Sequence, residues 1–212
     1  MQIHPIMEHS FAVIDQEIGE HNFTSAEYAI VQRVIHSTAD FEFTQLIKFS
    51  PNAIASGIQE LQQRIPIVTD VGMVKQGIAG MVAKTFGNPI IVAVEQAAAA
   101  LPGKTRTETG LIRCWEQFPE AIFVIGNAPT ALLALCEKLP TATLKPALVI
   151  GAPVGFISVL ESKAALAQTS VPQIRVEGRK GGSPVAAAIL NALLVLAWNK
   201  AEGRRQETEG QT

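Results

Sequence analysis

From about residue 60 onwards, short runs of apolar, mostly β-branched residues alternate with longer segments of helical periodicity. Strands that are apolar on both faces are typical of parallel sheets covered by helices on each side. The alternation therefore predicts an α/β fold, a three-layer α/β/α arrangement with a mainly parallel sheet and a helical N-terminal segment. The five predicted strands are Ile65–Thr69, Ile90–Val94, Ala121–Ile125, Ala147–Ile150 and Gln173–Glu177.

Capping signals and periodicity indicate where the helices lie. Thr24-Ser25-Ala26-Glu27 is a capping box, in which the threonine hydroxyl and the glutamate each bind a backbone N–H at the start of a helix. Ser50-Pro51 predicts another helix start, with Pro51 at the first position, where its missing N–H costs nothing. The predicted helices are Ile6–Ile18, Thr24–Ser37, one opening at Ser50, Val71–Val82, Thr107–Phe118, Pro129–Leu139, Phe156–Gln168 and Ser183–Asn199.

Composition limits the number of domains and the class of partner. A chain of 212 residues can form one domain with its own core, which is predicted over residues 1–200. The polar residues 201–212 are predicted to form a disordered tail. Hydrophobic residues make up 48% of the chain and charged residues 17%, which excludes a disordered protein and a coiled coil. A net charge of −2 and an aromatic content of 6% argue against a nucleic-acid partner.

The sequence predicts neither a targeting segment nor a membrane span. Residues 1–5 lack the basic and then apolar pattern of a signal peptide. The apolar stretch Val185–Trp198 is too short to span a bilayer and predicts a buried helix. Cys114 and Cys136 fit no disulfide framework and no zinc motif, so two reduced, buried thiols are expected. We therefore expect a cytoplasmic protein with no membrane partner.

Glycine-rich loops follow several predicted strands and would meet at one edge of the sheet. Three of them, at residues 126–130, 151–156 and 178–184, lead into helices whose first N–H groups favour anions. An ordinary strand-to-helix turn explains any single loop equally well, but three along one edge predict an extended anion-binding rim. Arg179 and Lys180 in the last loop favour a carboxylate or phosphate ligand. The nucleotide-binding motifs Gly-x-Gly-x-x-Gly and Gly-x4-Gly-Lys-Ser/Thr do not occur, so no cofactor is predicted.

Of the four histidines, His36 has the position that best suits catalysis. His4, His9 and His21 are interpreted as structural or solvated, and no pair of histidines has metal-site spacing, so no metal is predicted. His36 falls in the last turn of the capped helix, where the helix end and nearby Asp40 both stabilise an imidazolium. Such a group can act as a general acid near neutral pH. The alternative is that His36 merely binds the last carbonyl groups of the helix.

Two further polar sites each have two interpretations. Asp70, at a strand end, is either the N-cap of the following helix or a site residue. Glu161 and Lys163, which share a helix face only loosely, either meet solvent at the surface or have a functional role.

Two segments are highly specific for one family: Ile125–Leu132, and Pro153–Phe156 followed closely by Glu161-Ser162-Lys163. With these, the chain resembles the precorrin-8X methylmutase family of corrin biosynthesis, including its cobalt-precorrin-8 counterpart, from about Ile6 to Asn199. The other matching segments are Ser10-Phe11, Val34-Ile35-His36, Phe49-Ser50-Pro51, Thr105-Arg106 and Gly178–Ser183.

The resemblance implies a homodimeric α/β enzyme that moves a methyl group from C11 to C12 on ring C of a corrinoid macrocycle. The product would be hydrogenobyrinate or its cobalt form, and no cofactor would take part. His36 matches the family's catalytic histidine, while Ala39 stands where a glycine is common. The residues expected to bind the carboxylate-fringed substrate are Ser10 and Asn127 by hydrogen bonds, Arg106, Arg179 and Lys180 by charge, and Gly181.

Two other functions fit the residues alone. A non-catalytic tetrapyrrole carrier would need the same anion-binding rim but no proton donor. A flavodoxin-like protein would instead bind a flavin or adenine nucleotide. The sequence also leaves open whether the substrate already contains cobalt.

Overall fold

The structure, a computed structural model, describes residues 4–209, and for residue 205 and residues 207–209 the backbone alone. Within these residues the sheet has six strands, in the order β1-β6-β5-β4-β2-β3, and β1 alone is antiparallel to its neighbour. The mainly parallel sheet predicted from the sequence is thereby confirmed. The strands are β1 Ile47–Phe49, β2 Ile67–Thr69, β3 Ile90–Val92, β4 Ile122–Ile125, β5 Leu148–Gly151 and β6 Gln173–Val176.

Helices cover both faces of this sheet and complete the three predicted layers. They are α1 Pro5–Ile18, α2 Ser25–Thr38, α3 Phe43–Leu46, α4 Ala53–Gln62, α5 Gly72–Lys84, α6 Arg106–Gln117, α7 Pro129–Lys138, α8 Val159–Ala167 and α9 Ser183–Glu209. Short 3-10 helices lie at Ala93–Gln96 and Leu139–Thr141. On one face α9 packs against α2, α4 and α5, and on the other α7 packs against α6 and α8.

The strands alternate between two cores because successive side chains in a strand point to opposite faces. In β4, Ile122 and Val124 join the core under α9, whereas Phe123 and Ile125 join the core under α7. All four side chains are fully buried. This two-sided burial explains why the strands are apolar throughout and therefore recognisable in the sequence.

The helix α9 runs through the centre of one layer and is longer than predicted. It continues to Glu209 rather than ending at Asn199, into the segment expected to be a tail, while residues 210–212 lie outside the described residues. Its part Ser183–Arg204 is long and apolar enough to cross a membrane by length and composition. However, 56% of that apolar window is buried inside the protein, where it packs on α2, α4 and α5.

The N-terminal third differs from prediction at the segment after α2. The predicted helix start at Ser50-Pro51 is wrong, because Ser50 extends the pairing of β1 with β6: its N–H donates to the carbonyl of Gln173 at 2.9 Å, and its hydroxyl accepts from the Gln173 N–H at 2.8 Å. Asn52 then takes a left-handed conformation with φ 62°, and α4 begins only at Ala53. The pairing of β1 with β6 brings the segment that follows α2 close to the loop that follows β6.

Two other helix boundaries affect the predicted site. The capping box at Thr24 is present, with Glu27 Oε2 accepting from the Thr24 N–H at 2.9 Å, so α2 begins as predicted. By contrast, α8 begins at Val159 rather than Phe156, because Gly155 and Ser158 have positive φ values of 147° and 57°. Residues 154–158 therefore form a loop at the edge of the sheet.

Candidate active site

His36 lies in the last turn of α2, and its ring is exposed. Its neighbours bind the carbonyl groups of this helix end. The hydroxyls of Ser37 and Thr38 both donate to the Val34 carbonyl at 2.9 Å, and the Ala39 N–H donates to the Ile35 carbonyl at 2.7 Å. Among the described residues, the His36 imidazole has no hydrogen-bond or ion-pair partner. The helix end is thus capped without His36, whose ring is left available to a ligand.

A pocket of about 450 Å³ opens beside His36, between α1 and the end of α2. Ser10 lines it from α1, so two of the predicted site residues share one pocket. Phe11 holds the imidazole from the side, edge to face, with the ring centres 5.3 Å apart. The other lining residues are mostly apolar, as a macrocycle would require of its binding surface.

The remaining histidines are not equivalent to one another. His4 caps α1 by accepting a hydrogen bond from the Ile6 N–H at 3.2 Å, and His21 stacks on Tyr28 with ring centres 4.1 Å apart. Both have the structural roles expected from the sequence. His9 is exposed, in agreement with the solvated interpretation, but it also lines the pocket with His36, which the sequence did not predict. Its place directly before the pocket serine on the same helix is the signal that could have identified it.

Lys180 links the end of α2 to the loop after β6. Its Nζ lies 2.6 Å from Asp40 Oδ2 and 3.0 Å from Glu42 Oε2. The hydrogen bond from Lys180 lowers the pKa of the Asp40 carboxyl, and the two carboxylates raise the pKa of the Lys180 ammonium. Asp40 is therefore engaged by Lys180, although the sequence suggested that it would stabilise the His36 imidazolium.

The loop that carries Lys180 is held from beneath by Lys163 of α8. Lys163 is 3% exposed, and its Nζ donates to the carbonyl oxygens of Gly178 and Lys180, each at 2.7 Å. Burial lowers its pKa to about 8. Of the two interpretations of Lys163, solvent exposure is wrong. Gly181 lies in the same loop with φ 150°, and a Cβ there would approach the Ala152 carbonyl oxygen to 2.4 Å, so only glycine fits.

Asp70 organises the neighbouring loop, at residues 126–128. Its fully buried carboxylate accepts from the backbone N–H groups of Gly126, Asn127 and Ala128 at 3.1, 2.6 and 2.8 Å, and from its own neighbour Val71 at 3.0 Å. Burial raises the pKa of Asp70, and these four donors oppose the rise. Asp70 does not cap α5, whose N-cap is Val71. Since Asp70 already occupies these N–H groups, this part of the predicted anion-binding rim is not open to a ligand.

Three predicted site residues are exposed along the carboxyl edge of the sheet: Arg106, Asn127 and Arg179. None of the three is among the described residues that line the His36 pocket. Arg106 is the first residue of α6, and the adjacent Thr105 bonds to Thr130 of α7 at 3.0 Å. The structure therefore brings Arg106 to the loop of Asn127. It arranges the predicted residues as two groups, one around His36 and one around Arg106.

Large apolar side chains are also exposed at this edge. Phe156 and Ile157 are 85% and 82% exposed in the loop after β5, and Met73, at the start of α5, is 69% exposed. Leu101 and Leu160 are exposed to a smaller extent. An apolar surface between charged residues marks a binding face rather than a solvated one.

No predicted site residue lines a second cavity, of about 580 Å³, between α7 and α8. Cys136 at its wall and Cys114 on α6 are buried, free thiols, as predicted, and burial raises their pKa values to about 12 and about 11. Among the described residues, no group of three or more His, Cys, Asp or Glu side chains is arranged to hold a metal ion.

Comparisons with known proteins identify the family. The family model described as precorrin-8X methylmutase matches residues 5–196. The cobalt-precorrin-8 methylmutase of Synechocystis is 59% identical over 211 residues, covering 93% of this chain and 97% of that protein. The precorrin-8X methylmutase of a Sinorhizobium species is 38% identical, covering 89% of this chain and 92% of that protein.

A solved structure supports the same assignment. The crystal structure of precorrin-8X methyl mutase from Thermus thermophilus superposes with a TM-score of 0.86 at 41% identity, covering 92% of this chain and 96% of the other. The resemblance seen in the sequence is confirmed, and an enzyme is favoured over a carrier or a nucleotide-binding protein. The chain belongs to the precorrin-8X methylmutase family, and it is an isomerase, a methylmutase of cobalamin biosynthesis.

Proposed function

We propose that the protein moves the methyl group at C11 of cobalt-precorrin-8 to C12 on ring C, with His36 as general acid. The observation that carries this proposal is the His36 ring itself, exposed at a helix end, without a protein partner among the described residues, and beside a largely apolar pocket.

In the proposed step, the imidazolium gives its proton to the conjugated ring system of the substrate. The macrocycle then becomes electron-poor, and the barrier for migration of the methyl group between neighbouring carbons falls. One C–C bond breaks as another forms, and the proton returns to the imidazole because substrate and product are isomers. General-acid catalysis of this kind contributes about 10²–10⁴ in rate, and orientation of the ring supplies the remainder.

The substrate's acetate and propionate groups would be bound at the carboxyl edge of the sheet. Arg106 and Arg179 are exposed there and free of ion pairs among the described residues, so they suit these carboxylates best. Lys180 would take part while remaining paired with Asp40 and Glu42. Ser10 would donate a hydrogen bond inside the pocket, and Asn127 would do so at the edge.

The names of the relatives favour the cobalt-containing substrate. Synechocystis, Leptospira and Priestia proteins that are 59%, 40% and 43% identical to this chain are each named cobalt-precorrin-8 methylmutase. Relatives named precorrin-8X methylmutase include proteins that are 38% and 37% identical and the Thermus thermophilus structure at 41%, so the inference depends on the 59% identical Synechocystis protein. We infer that cobalt enters the ring before this enzyme acts, and that the reaction takes place in the cytoplasm.

We also infer that the working enzyme is a homodimer. The pocket beside His36, of about 450 Å³, can enclose only part of a macrocycle with its side chains. Exposed Phe156 and Ile157 offer an apolar surface of the kind that subunits bury on association. A second chain docked at this edge would both bury these side chains and enlarge the site.

Incubation with substrate tests the proposal. The purified protein is mixed with cobalt-precorrin-8 and, separately, with metal-free precorrin-8X, and the absorption spectrum is followed over time. We expect a change to the product spectrum with the cobalt substrate at the higher kcat/KM. A spectrum that shifts on binding but never progresses would indicate a carrier and contradict the proposal.

A further inference from the structure

The loop at residues 178–182 combines high intrinsic flexibility with a fixed position. Gly178, Gly181 and Gly182 have φ values of 71°, 150° and 116°, which glycine adopts readily but which do not restrict the chain to one conformation. Only a few backbone contacts hold the loop, among them the Gly182 N–H to the Ala152 carbonyl at 2.8 Å. A specific arrangement of Lys180 therefore needs a further constraint.

Lys163 supplies that constraint at a cost in stability. Its ammonium binds two carbonyls of the loop, on either side of Arg179, at 2.7 Å each. Among the described residues no carboxylate pairs with it, although it is 3% exposed. A buried, unpaired charge is unfavourable, and an apolar side chain of the same volume would ordinarily be more stable there. The charge is thus better explained by what it does to the loop.

We propose that Lys163 is a positioning residue, which fixes the 178–182 loop so that Lys180 pairs with Asp40 and Glu42 at the end of the His36 helix. The chain of contacts is continuous: Lys163 Nζ to the Lys180 carbonyl, and Lys180 Nζ to Asp40 at 2.6 Å. Asp40 lies two residues beyond α2. This role rests on the proposed function, since it matters to catalysis only if His36 and this loop meet the same substrate.

Limited trypsin digestion tests the structural half of the proposal without substrate. Trypsin cleaves after Arg179 and Lys180, so release of the loop exposes two cleavage sites. We expect Lys163→Met to be cut there at least about tenfold faster than the wild type, while Lys145→Met, a surface lysine near Ser170, is cut at the wild-type rate. Equal rates for Lys163→Met and the wild type would overturn the proposal. Thermal unfolding first checks that each variant is folded.

A double-mutant cycle tests the functional half. Lys163→Met should lower kcat/KM by about 10–100-fold, the range expected from a small displacement of site groups. Combined with Lys180→Met, the loss should be clearly smaller than the product of the two single losses, because both substitutions disturb one arrangement. The cycle with Lys145→Met should be multiplicative. A multiplicative result for Lys163 and Lys180 would show that Lys163 only stabilises the fold.

The digestion and the double-mutant cycle together distinguish a failure of this proposal from a failure of the proposed function. If Lys163→Met does not fold, Lys163→Gln carries the same measurements, because its amide keeps N–H donors on a shorter side chain and is expected to be intermediate. If the wild type does not convert the substrate, the proposed function fails, and digestion still decides whether Lys163 holds the loop.

Discussion

At the scale of single residues, two buried charges of opposite sign shape the carboxyl edge of the sheet. Asp70 accepts hydrogen bonds from three N–H groups of one loop, and Lys163 donates to two carbonyls of another. The N–H groups of residues 126–128, which the sequence pattern assigned to anion binding, are thereby used inside the protein. Exposed side chains, above all Arg106 and Arg179, are left as the groups that can bind anions at this edge.

The burial of Lys163 predicts a specific dependence of stability on pH. Its pKa is about 8 in the folded protein and about 10.4 in an unfolded chain, so the unfolded state binds more protons between these values. The cost of burying the charge is fully present below pH 8 and is relieved as the pH rises. Relative to Lys163→Met, the wild type should gain on the order of 1–2 kcal/mol of unfolding free energy between pH 7.5 and 9.5.

Urea unfolding of both proteins at each pH measures this gain. The difference between the two proteins removes the opposite effect of Cys114 and Cys136, whose raised pKa values make stability fall over the same range. A difference that stays constant with pH would mean that Lys163 is not desolvated in solution.

Ala39 predicts an effect of backbone strain next to His36. It has φ 53° and ψ 30°, a left-handed conformation that costs a non-glycine residue roughly 1–2 kcal/mol. Ala39→Gly removes this strain but makes the unfolded chain more flexible, so a net gain of about 0.5–1 kcal/mol is expected in urea unfolding. A loss of stability would contradict the conformation. The left-handed conformation at this position also explains why the resembled family commonly has a glycine there, since glycine adopts it without strain.

The positions of candidate site residues could be predicted from the sequence only where position along a helix determined them. The place of His36 in the last turn of α2 was predictable because the capping box fixed the start of this helix. The roles of Asp70 and Lys163 depend on loops 56 and 15 residues away, respectively, and no local pattern encodes such contacts. The place of His9 in the pocket was missed because an exposed face of α1 becomes a pocket wall only when α2 packs beside it.

At the scale of elements, the position of α6 depends on one close contact. A Cβ at Gly110 would lie 1.8 Å from the carbonyl oxygen of Ala93, so the helix can approach the 3-10 helix at residues 93–96 only with glycine there. Gly110→Ala should therefore displace α6 and with it Arg106. Loss of at least about 2 kcal/mol of stability is expected, together with a raised KM for the carboxylate-bearing substrate.

A second helical glycine provides the control for this prediction. At Gly80 in α5 a Cβ would meet nothing within 4 Å, and alanine has the higher helix propensity. Gly80→Ala should thus stabilise the protein by up to about 1 kcal/mol. If both substitutions had the same effect in thermal unfolding, the close approach of α6 to Ala93 would be refuted.

Five of the six strands were predictable because the buried positions of a parallel sheet form continuous apolar runs. The missed strand, β1, has only three residues, includes Lys48 and lies at an edge of the sheet. An edge strand is covered by a neighbouring strand on one side only, so its sequence need not be a continuous apolar run. The false helix start at Ser50-Pro51 follows from the same missed strand, because Ser50 continues the pairing of β1. Ser50, which has the character of a helix cap in the sequence, instead pairs with Gln173.

At the scale of the whole molecule, the layered architecture follows from the apolar pattern, whereas association with a second chain does not. A homodimer predicts a sedimentation mass near twice 22.7 kDa at working concentration. Phe156 is 85% exposed in the single chain and would be buried in the proposed interface. Phe156→Asp should weaken the association, because it would place an unpaired charge in that interface. Leu144→Asp, a large exposed apolar residue before β5, is the control. A monomeric wild type, or an unchanged Phe156→Asp dimer, would contradict the proposed interface.

The proposed mechanism requires the imidazole at the end of α2 to supply the proton for methyl migration. The most direct measurement is single-turnover conversion of cobalt-precorrin-8 by His36→Ala, compared with His9→Ala in the same pocket and His21→Ala outside it. We expect His36→Ala still to bind the macrocycle but to convert it about 10²–10⁴-fold more slowly, while His21→Ala keeps the wild-type rate. Near-normal conversion by His36→Ala would contradict the general-acid role of His36.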